Sequence, residues 1–566
     1  MKRVENGCGA RSRRVAVAAA LATTTALTAN AGTFEGVVRD TEGDALPGVM
    51  VRLTDDVSGI SESVFTDPTG AFEITTRLEG ELHLRLRTPY YRDVAVTLDA
   101  PSTDLDLAMT PMADAEEVSD SLPAAYHFGS LPFETGEDAL FNRHQFQRDC
   151  LTCHQMGNPL TRFPRTPEGW VETIRRMHAM LGNFDAELRD RRSVLLSEGF
   201  DGKPLPVRPE FPIDESLYRT RIIEYRMERG IVPHDAIVNP HDGLIYTVDQ
   251  GADHMAVTDP ATGQTEYVSQ SGGGMAYRAF GSVAGEIAVF NGRNGPHSLA
   301  LGPDRKYYVT NTSTNSIGVF NPATRKWEPS HRIGGRAIYP HTIRFDADGI
   351  AWYTLAGSEQ VGNLDPATGE TQLVNLPRVR PGGISRGTTP YGIDIEPDTG
   401  MVWYSRLFGD KIGRIDPETL EVTEYDSPVR GPRRMRFDAD GILWVTGYSD
   451  GTLARIDPDG FASTVYSMPG FAPGFRPAPY ALGVHPDTGD IWINENMTDR
   501  IYRFIPAEER FVVYPVPLTG TYTRDVDFTA DGKACMSNNP VPAAALEGGV
   551  LQLICIDVAK IEVSAL

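Results

Sequence analysis

PHTIRFDADGIAW (residues 340–352) returns as PYGIDIEPDTGMVW (390–403), PRRMRFDADGILW (432–444) and PYALGVHPDTGDIW (479–492). Each copy opens with proline and alternates apolar and polar residues. It then turns at an acidic glycine-bearing segment and resumes on tryptophan. Each copy runs into further strands, such as KIGRIDP (411–417) and VTEY (422–425). Weaker copies begin at Pro233, Pro296 and Thr523. The residues after these openings are His234, His297, His341, Tyr391, Arg433, Tyr480 and Arg524, spaced by 63, 44, 50, 42, 47 and 44. Seven four-stranded units of this length, with insertions, predict a seven-bladed β-propeller over residues 215–566. The strand from Tyr218 to Met227 is expected to pair with the last blade and close the ring.

Working outward from the ring, the chain of 566 residues is long enough for several domains. Its Gly 55 and Pro 41 fit many turns and short strands rather than long helices. Net charge is −23, and a surface this acidic repels phosphate backbones, so nucleic acid is excluded as a partner. Residues 1–31 place basic residues (Arg11, Arg13, Arg14) before an apolar run from Val15 to Leu27 and a small-residue site at Ala29-Asn-Ala31. That order is a cleavable signal peptide, cut after Ala31, and implies a periplasmic or secreted protein. The run is too short to cross a bilayer, and no later stretch qualifies. Arg13-Arg14 hints at a twin-arginine signal; the general secretory route is favoured.

Residues 32–112 alternate apolar and polar in six or seven short strands, the pattern of a small β-sandwich. The run GVVRDTEGDALPGVMVRL (36–53) followed by TDPTGAFEI (66–74) resembles the carboxypeptidase regulatory-like domain family, an immunoglobulin-like module. It carries no cluster suited to chemistry, which implies a spacer or docking role. Residues 113–130 read as a linker, and 131–205 as a small helical module. The whole is thus mainly β: a sandwich and a propeller with a small helical module between them.

The helical module contains Cys150-Leu-Thr-Cys153-His154. Two thiols three positions apart can form thioethers to the haem vinyl groups, and the adjacent imidazole then reaches the iron. The competing readings are a redox C-x-x-C, which needs no following histidine, and half of a zinc site, which needs further ligands at suitable spacing. The expectation is one covalent haem c on Cys150, Cys153 and His154. A run from Trp170 to Leu181 has helical apolar spacing and puts Met177 and Met180 on or beside one face, where a thioether could complete the iron's ligands. The arrangement resembles class I-like cytochromes c in which a Trp…Arg-Met helix follows the haem motif. That resemblance favours Met177, with Met180 as the alternative. His144 and His178 are expected to be exposed. Of the remaining cysteines, Cys535 and Cys555 fall in what should be neighbouring strands, and strand register decides whether they bond.

The repeated P-[HY]-x-I…D-G-x-x-W…I-G-x-x-D-P unit resembles the virginiamycin B lyase family, also called streptogramin lyases. The resemblance implies a seven-bladed ring that opens a cyclic peptide by elimination across an ester C–O bond, using Mg²⁺, histidines and glutamates. His297 and His341 match the family's post-proline histidines, and His234 adds a third. The family's carboxylate positions fall here on Tyr339 and Ala356; Glu495 is the nearest alternative, in a blade that offers Tyr480.

Equivalent positions in a propeller face one end of its channel, so His234, His297, His341, Tyr391, Arg433, Tyr480 and Arg524 should converge. Asp249 and Glu495 are expected to border them. Such a set can bind a carboxylate or phosphate, hold a divalent metal through imidazole, or position a proton acceptor, with the three histidines as catalytic candidates. The bland alternative is that they satisfy inner-strand backbone groups. The reading is a periplasmic haem oxidoreductase or electron-transfer protein whose propeller binds a small organic substrate or partner and whose haem exchanges electrons with a periplasmic partner. The alternatives are a lyase of the streptogramin type and a non-enzymatic binding protein.

Overall fold

The computed structural model describes residues 32–134, 142–152, 154–180, 182–271, 293–380, 387–539 and 551–558. The expected signal peptide and Cys153 lie outside them. The architecture is mainly β: four-stranded antiparallel blades, a β-sandwich before them, and a small helical module between.

In the sandwich, a three-stranded sheet (71–76, 32–40, 105–109) packs on a four-stranded one (60–65, 50–55, 82–87, 94–98). The alternation of LHLRLR, with Leu82, Leu84 and Leu86 buried, supplies one face of its core. Phe34, Val38, Phe72 and Ile74 supply the other.

Six blades are complete four-stranded sheets, starting at Pro233, Pro296, Pro340, Pro390, Pro432 and Pro479. The seventh uses Thr523–Phe528, Ala534–Asn538 and Gln552–Val558, and its outer strand is Thr220–Arg226, paired antiparallel with Gln552–Val558. The expected closure is therefore present. The free edge of that outer strand pairs with Ile60–Phe65 of the sandwich, so one eight-stranded sheet runs from the sandwich into the seventh blade. The pairing covers an edge that would otherwise expose backbone donors and acceptors. Cys535 and Cys555 lie directly opposite each other in this blade and are joined by a disulfide, the pairing that the sequence left open.

The repeat has a physical cause. In the third blade Asp346 accepts backbone N–H bonds from Asp348 (3.0 Å) and Ile350 (2.9 Å) and the Trp352 indole N–H (2.7 Å). Asp438 does the same for Asp440, Ile442 and Trp444. One aspartate thus fixes the turn, and Gly349 takes the positive φ of 81° that the turn requires. Proline opens six of the inner strands, where a missing N–H is tolerated.

Five helices form the module: α1 (Ala115–Ser121), α2 (Ala124–Gly129), α3 (Arg143–Cys150), α4 (Pro167–Met180) and α5 (Ala186–Gly199). The stretch read as a linker therefore carries α1 and α2, because Asp114 caps α1 and Ala124, Ala125 and Phe128 bury themselves against the module's core. No helix among the described residues is long and apolar enough to cross a membrane. Replacing Cys535 and Cys555 together by serine should lower stability by about 3 kcal/mol for a loop of this length, measured by urea unfolding under non-reducing conditions. An unchanged midpoint would show that the crosslink contributes nothing.

Candidate functional site

The site grows from a register irregularity. In every blade the pairing of the inner strand shifts by one residue just after its opening position, for example between Pro340 and Ile343. Such a bulge re-aims the side chains beside it. A hydroxyl from one blade then holds the next. Thr310 donates to the His341 carbonyl (2.7 Å), Thr354 to that of Tyr391 (2.8 Å) and Ser405 to that of Arg433 (2.6 Å). Ser537 closes the series on the His234 carbonyl.

The seven expected residues do converge, and all are buried. Ring centroids run His234–His297 3.7 Å, His297–His341 4.1 Å and His341–Tyr391 3.9 Å. Arg433 lies over Tyr391, Tyr448 and Tyr480, and Arg524 over Tyr480 and Tyr522. Hydrogen bonds connect the set in one direction. Arg433 Nη2 donates to the Tyr391 hydroxyl (2.6 Å), and Tyr391 donates to Tyr480 (3.0 Å). His234 Nδ1 donates to Asp235 Oδ1 (2.9 Å), which leaves Nε2 to accept from the Tyr480 hydroxyl (3.3 Å). Asp235, not singled out from the sequence, thereby orients His234 towards Tyr480, the geometry of an oriented base beside a hydroxyl.

Electrostatics follow from burial. Desolvation first, then neighbouring guanidiniums and imidazoles, holds His234, His297 and His341 well below the ordinary imidazole pKa, so all three are neutral at pH 7. Burial alone would raise the Tyr480 phenol, but Arg524, Arg433 and Arg434 outweigh it and hold it below its usual value. Tyr391 and Tyr522, where burial dominates, are pushed well above theirs.

Asp249 and Glu495 stand in register opposite Pro233 and Pro479, the residues before His234 and Tyr480, but their oxygens are taken up by backbone. Asp249 accepts from the N–H groups of Ile231, Val232, Gly251 and Ala252. Glu495 accepts from those of Ala478, Met497 and Thr498 and from the Thr498 hydroxyl. Each carboxylate ends a second strand and is occupied in tying loops together. The adjacent imidazoles are tilted to one another by 36° and 51°, and the described residues contain no group of three His, Cys, Asp or Glu placed to hold a metal.

The helical module sits on this end of the channel. The carbonyl of Leu151 accepts from Tyr522 (2.6 Å) and from Tyr448, and that of Thr152 accepts from Tyr522 (3.0 Å) and Arg433 Nη2 (3.4 Å). Leu151 is the residue that caps the C-terminal end of α3 and Thr152 is the next one, and a cation beside a helix C-terminus is favourable. Gln147 donates to the Tyr448 and Pro477 carbonyls, and Gln155 to those of Asn496 and Thr521. His144 is half-buried on the Ser449 carbonyl (3.0 Å), and His178 is buried against Arg192 (3.1 Å). Both were expected to be exposed; the docked module and the buried Arg192–Asp149 pair enclose them.

Whether these residues suit a haem can be tested on the motif itself. His154 Nδ1 lies 2.8 Å from the Gln155 carbonyl, which can only accept, so Nδ1 carries the proton and the Nε2 lone pair is left for a metal. Cys150 is half-buried beside Phe128, Phe146, Leu151, Trp170 and Ile174, an apolar and aromatic cluster. The Trp170 indole N–H is buried without an acceptor. Met177 is half-exposed on α4; the Met180 side chain lies outside the described residues. The free His154 Nε2 and the apolar setting of Cys150 are compatible with a c-type haem, while Cys153 lies outside the described residues.

The profile of the virginiamycin B lyase family matches residues 283–474, and that of the carboxypeptidase regulatory-like domain matches residues 33–110. No curated protein matches the sequence. Among solved structures, a streptogramin B lyase superposes with a TM-score of 0.50 at 17% identity, covering 61% of this chain and 100% of the other. A selenomethionine-substituted virginiamycin B lyase from Staphylococcus aureus gives 0.47 at 15% identity, over 60% and 99% of the two chains. Kuenenia stuttgartiensis hydrazine synthase gives 0.42 at 13%, over 55% and 93%. The chain thus carries a virginiamycin B lyase-like propeller and an N-terminal carboxypeptidase regulatory-like domain.

The neutral imidazoles set a pH dependence. Their folded pKa values lie below the unfolded value of about 6.5, so the stability they contribute is present above that pH and is lost as pH falls below it. His297→Phe keeps the stacking, and His297 Nδ1 has no partner to lose. Between pH 7.5 and 5.5 the variant should lose about 1 kcal/mol less stability than the native protein in urea titrations. Equal losses would mean that His297 titrates normally.

Proposed function

We propose that this chain is an exported c-type haem protein, a periplasmic oxidoreductase or electron-transfer protein whose propeller channel binds a small organic molecule beside the haem-bearing turn. Cys150 and Cys153 would hold the group through thioethers and His154 Nε2 would ligate the iron, with Met177, or alternatively Met180, as the sixth ligand. A bound haem supplies one-electron exchange at this position. The observation that carries the reading is the bonding of the Leu151 and Thr152 carbonyls, inside the Cys150–His154 motif, to Arg433, Tyr448 and Tyr522 of the channel. A channel ligand and the tethered group would therefore share one wall. Within the channel, Asp235 and His234 fix the tautomer facing Tyr480, and the stacked rings exclude water from whatever is bound.

A second reading, a C–O lyase of the streptogramin type, is favoured by the match over residues 283–474, which includes His297 and His341. Against it, Tyr339 and Ala356 stand where that family carries carboxylates, and the Tyr339 hydroxyl accepts a hydrogen bond from Gln250 (3.0 Å).

Expression in a host with haem c maturation should give a coloured periplasmic protein with a Soret band and the mass of the processed chain plus one haem. Cys150→Ala with Cys153→Ala should remove both. A colourless native protein of bare mass overturns the haem reading, and linearisation of a streptogramin B by that protein would put the lyase reading in its place.

A further inference from the structure

The charges that face the channel fall into two groups. Beside the His–Tyr–Arg ring, at the next residue along each inner strand, Arg434 makes a two-point pair with Asp235 (2.8 Å and 2.8 Å) and meets Asp525 at 3.1 Å. Asp525 also accepts from Arg436 (3.0 Å) and faces Arg344 (3.7 Å), which in turn reaches Asp394 (4.0 Å). Three guanidiniums thus meet three carboxylates, and burial pushes the nearby Asp527 up to about 6. This group is self-neutral.

Arg433 and Arg524 are different. They are 0% and 6% exposed, and no carboxylate among the described residues lies within ion-pair distance of either. The Nε and Nη1 of Arg433 and the Nε of Arg524 are buried with no acceptor. Tyrosine rings cover the faces of both cations, with Arg433 3.9 Å and Arg524 4.7 Å from the Tyr480 centroid, but a ring face leaves the N–H edges unsatisfied. The three neighbouring histidines are neutral and bring no negative charge. Arg433 Nη2 alone is met, by the Tyr391 hydroxyl (2.6 Å) and the Thr152 carbonyl (3.4 Å), and neither carries a full charge. Two buried cations without counter-charge are costly, and an anion taken in from solution removes that cost.

We propose that this end of the channel is a receptor for a small carboxylate, held by the N–H edges of Arg433 and Arg524 over the Tyr480 ring. This rests on the reading that the channel binds a small molecule, but not on the haem. A carboxylate has two oxygens in one plane, which suits guanidinium edges. A phosphate carries further oxygens that would meet the Leu151 and Thr152 carbonyls, acceptors already crowded onto this wall. Tyr391, Tyr448, Tyr480 and Tyr522 supply aromatic walls for the body of an organic acid.

The test is calorimetric titration of benzoate, acetate and inorganic phosphate into the mature full-length protein in low-chloride buffer. It is repeated on Cys150→Ala/Cys153→Ala protein, so that a failed haem reading and a failed carboxylate site remain distinguishable. One carboxylate should bind per chain in both proteins, at least tenfold more tightly than phosphate. Arg524→Gln should weaken it tenfold or more, and Arg524→Lys should recover part of the loss. If Arg524→Gln does not fold, the native protein decides alone: saturable concentrations of benzoate should raise its melting temperature, with chloride at equal ionic strength as control. Absence of carboxylate binding, undiminished binding in Arg524→Gln, tighter binding of phosphate, or a melting temperature indifferent to benzoate would each overturn the proposal.

Discussion

The hydroxyl-to-carbonyl clasp between successive blades is the constraint on which the rest of this structure depends. A ring of inner strands leaves each opening carbonyl facing its neighbour rather than water, and a buried carbonyl needs a donor. Thr310, Thr354, Ser405 and Ser537 provide one from the second strand of the preceding blade. The residue whose carbonyl is clasped is in each case a member of the channel ring. The bond that closes the propeller is therefore also the bond that fixes where an imidazole, phenol or guanidinium points. Preorganisation of the site and cohesion of the fold are one interaction.

Polar groups at the channel end serve two masters in the same way. The carbonyls of Leu151 and Thr152, in the turn that follows α3, accept from tyrosines and an arginine of the propeller. The helical module docks through its own backbone carbonyls more than through side-chain charge. Apolar contacts complete the joint: Tyr391, Tyr448 and Tyr480 belong to the same buried cluster as Phe128, Phe146 and Trp170. A crevice of about 470 Å³ at the meeting of sandwich, module and propeller, lined by Tyr90, Phe211 and Arg500 among others, belongs to this joint and not to the channel.

Much of this was legible in the sequence because a repeat converts register into geometry. Once the copies were aligned on their prolines, the seven ring residues followed without reference to any contact. Asp235, Arg434 and Asp525 escaped notice although their signal was available: charged residues in the most buried strand of a blade must pair. Asp249 and Glu495 could not have been sorted, since a carboxylate at a strand end reads the same whether it binds a ligand or ties down backbone N–H groups. The seating of the module on the channel was hidden for another reason. Gln147, Gln155 and the carbonyls of Leu151 and Thr152 meet partners about 300 residues or more away, and no local pattern records such a match.

The eight-stranded sheet has a consequence for assembly. Residues 220–226 pair on one side with 60–63, already made about 160 residues earlier, and on the other with 552–558, made about 330 residues later. Contacts over such separation are slow to form. The finished sandwich can grip its side of the seam strand while the ribosome is still making the blades, presenting the other edge as a template for the final strand. A newly made chain so arranged carries its own clamp until the circle meets.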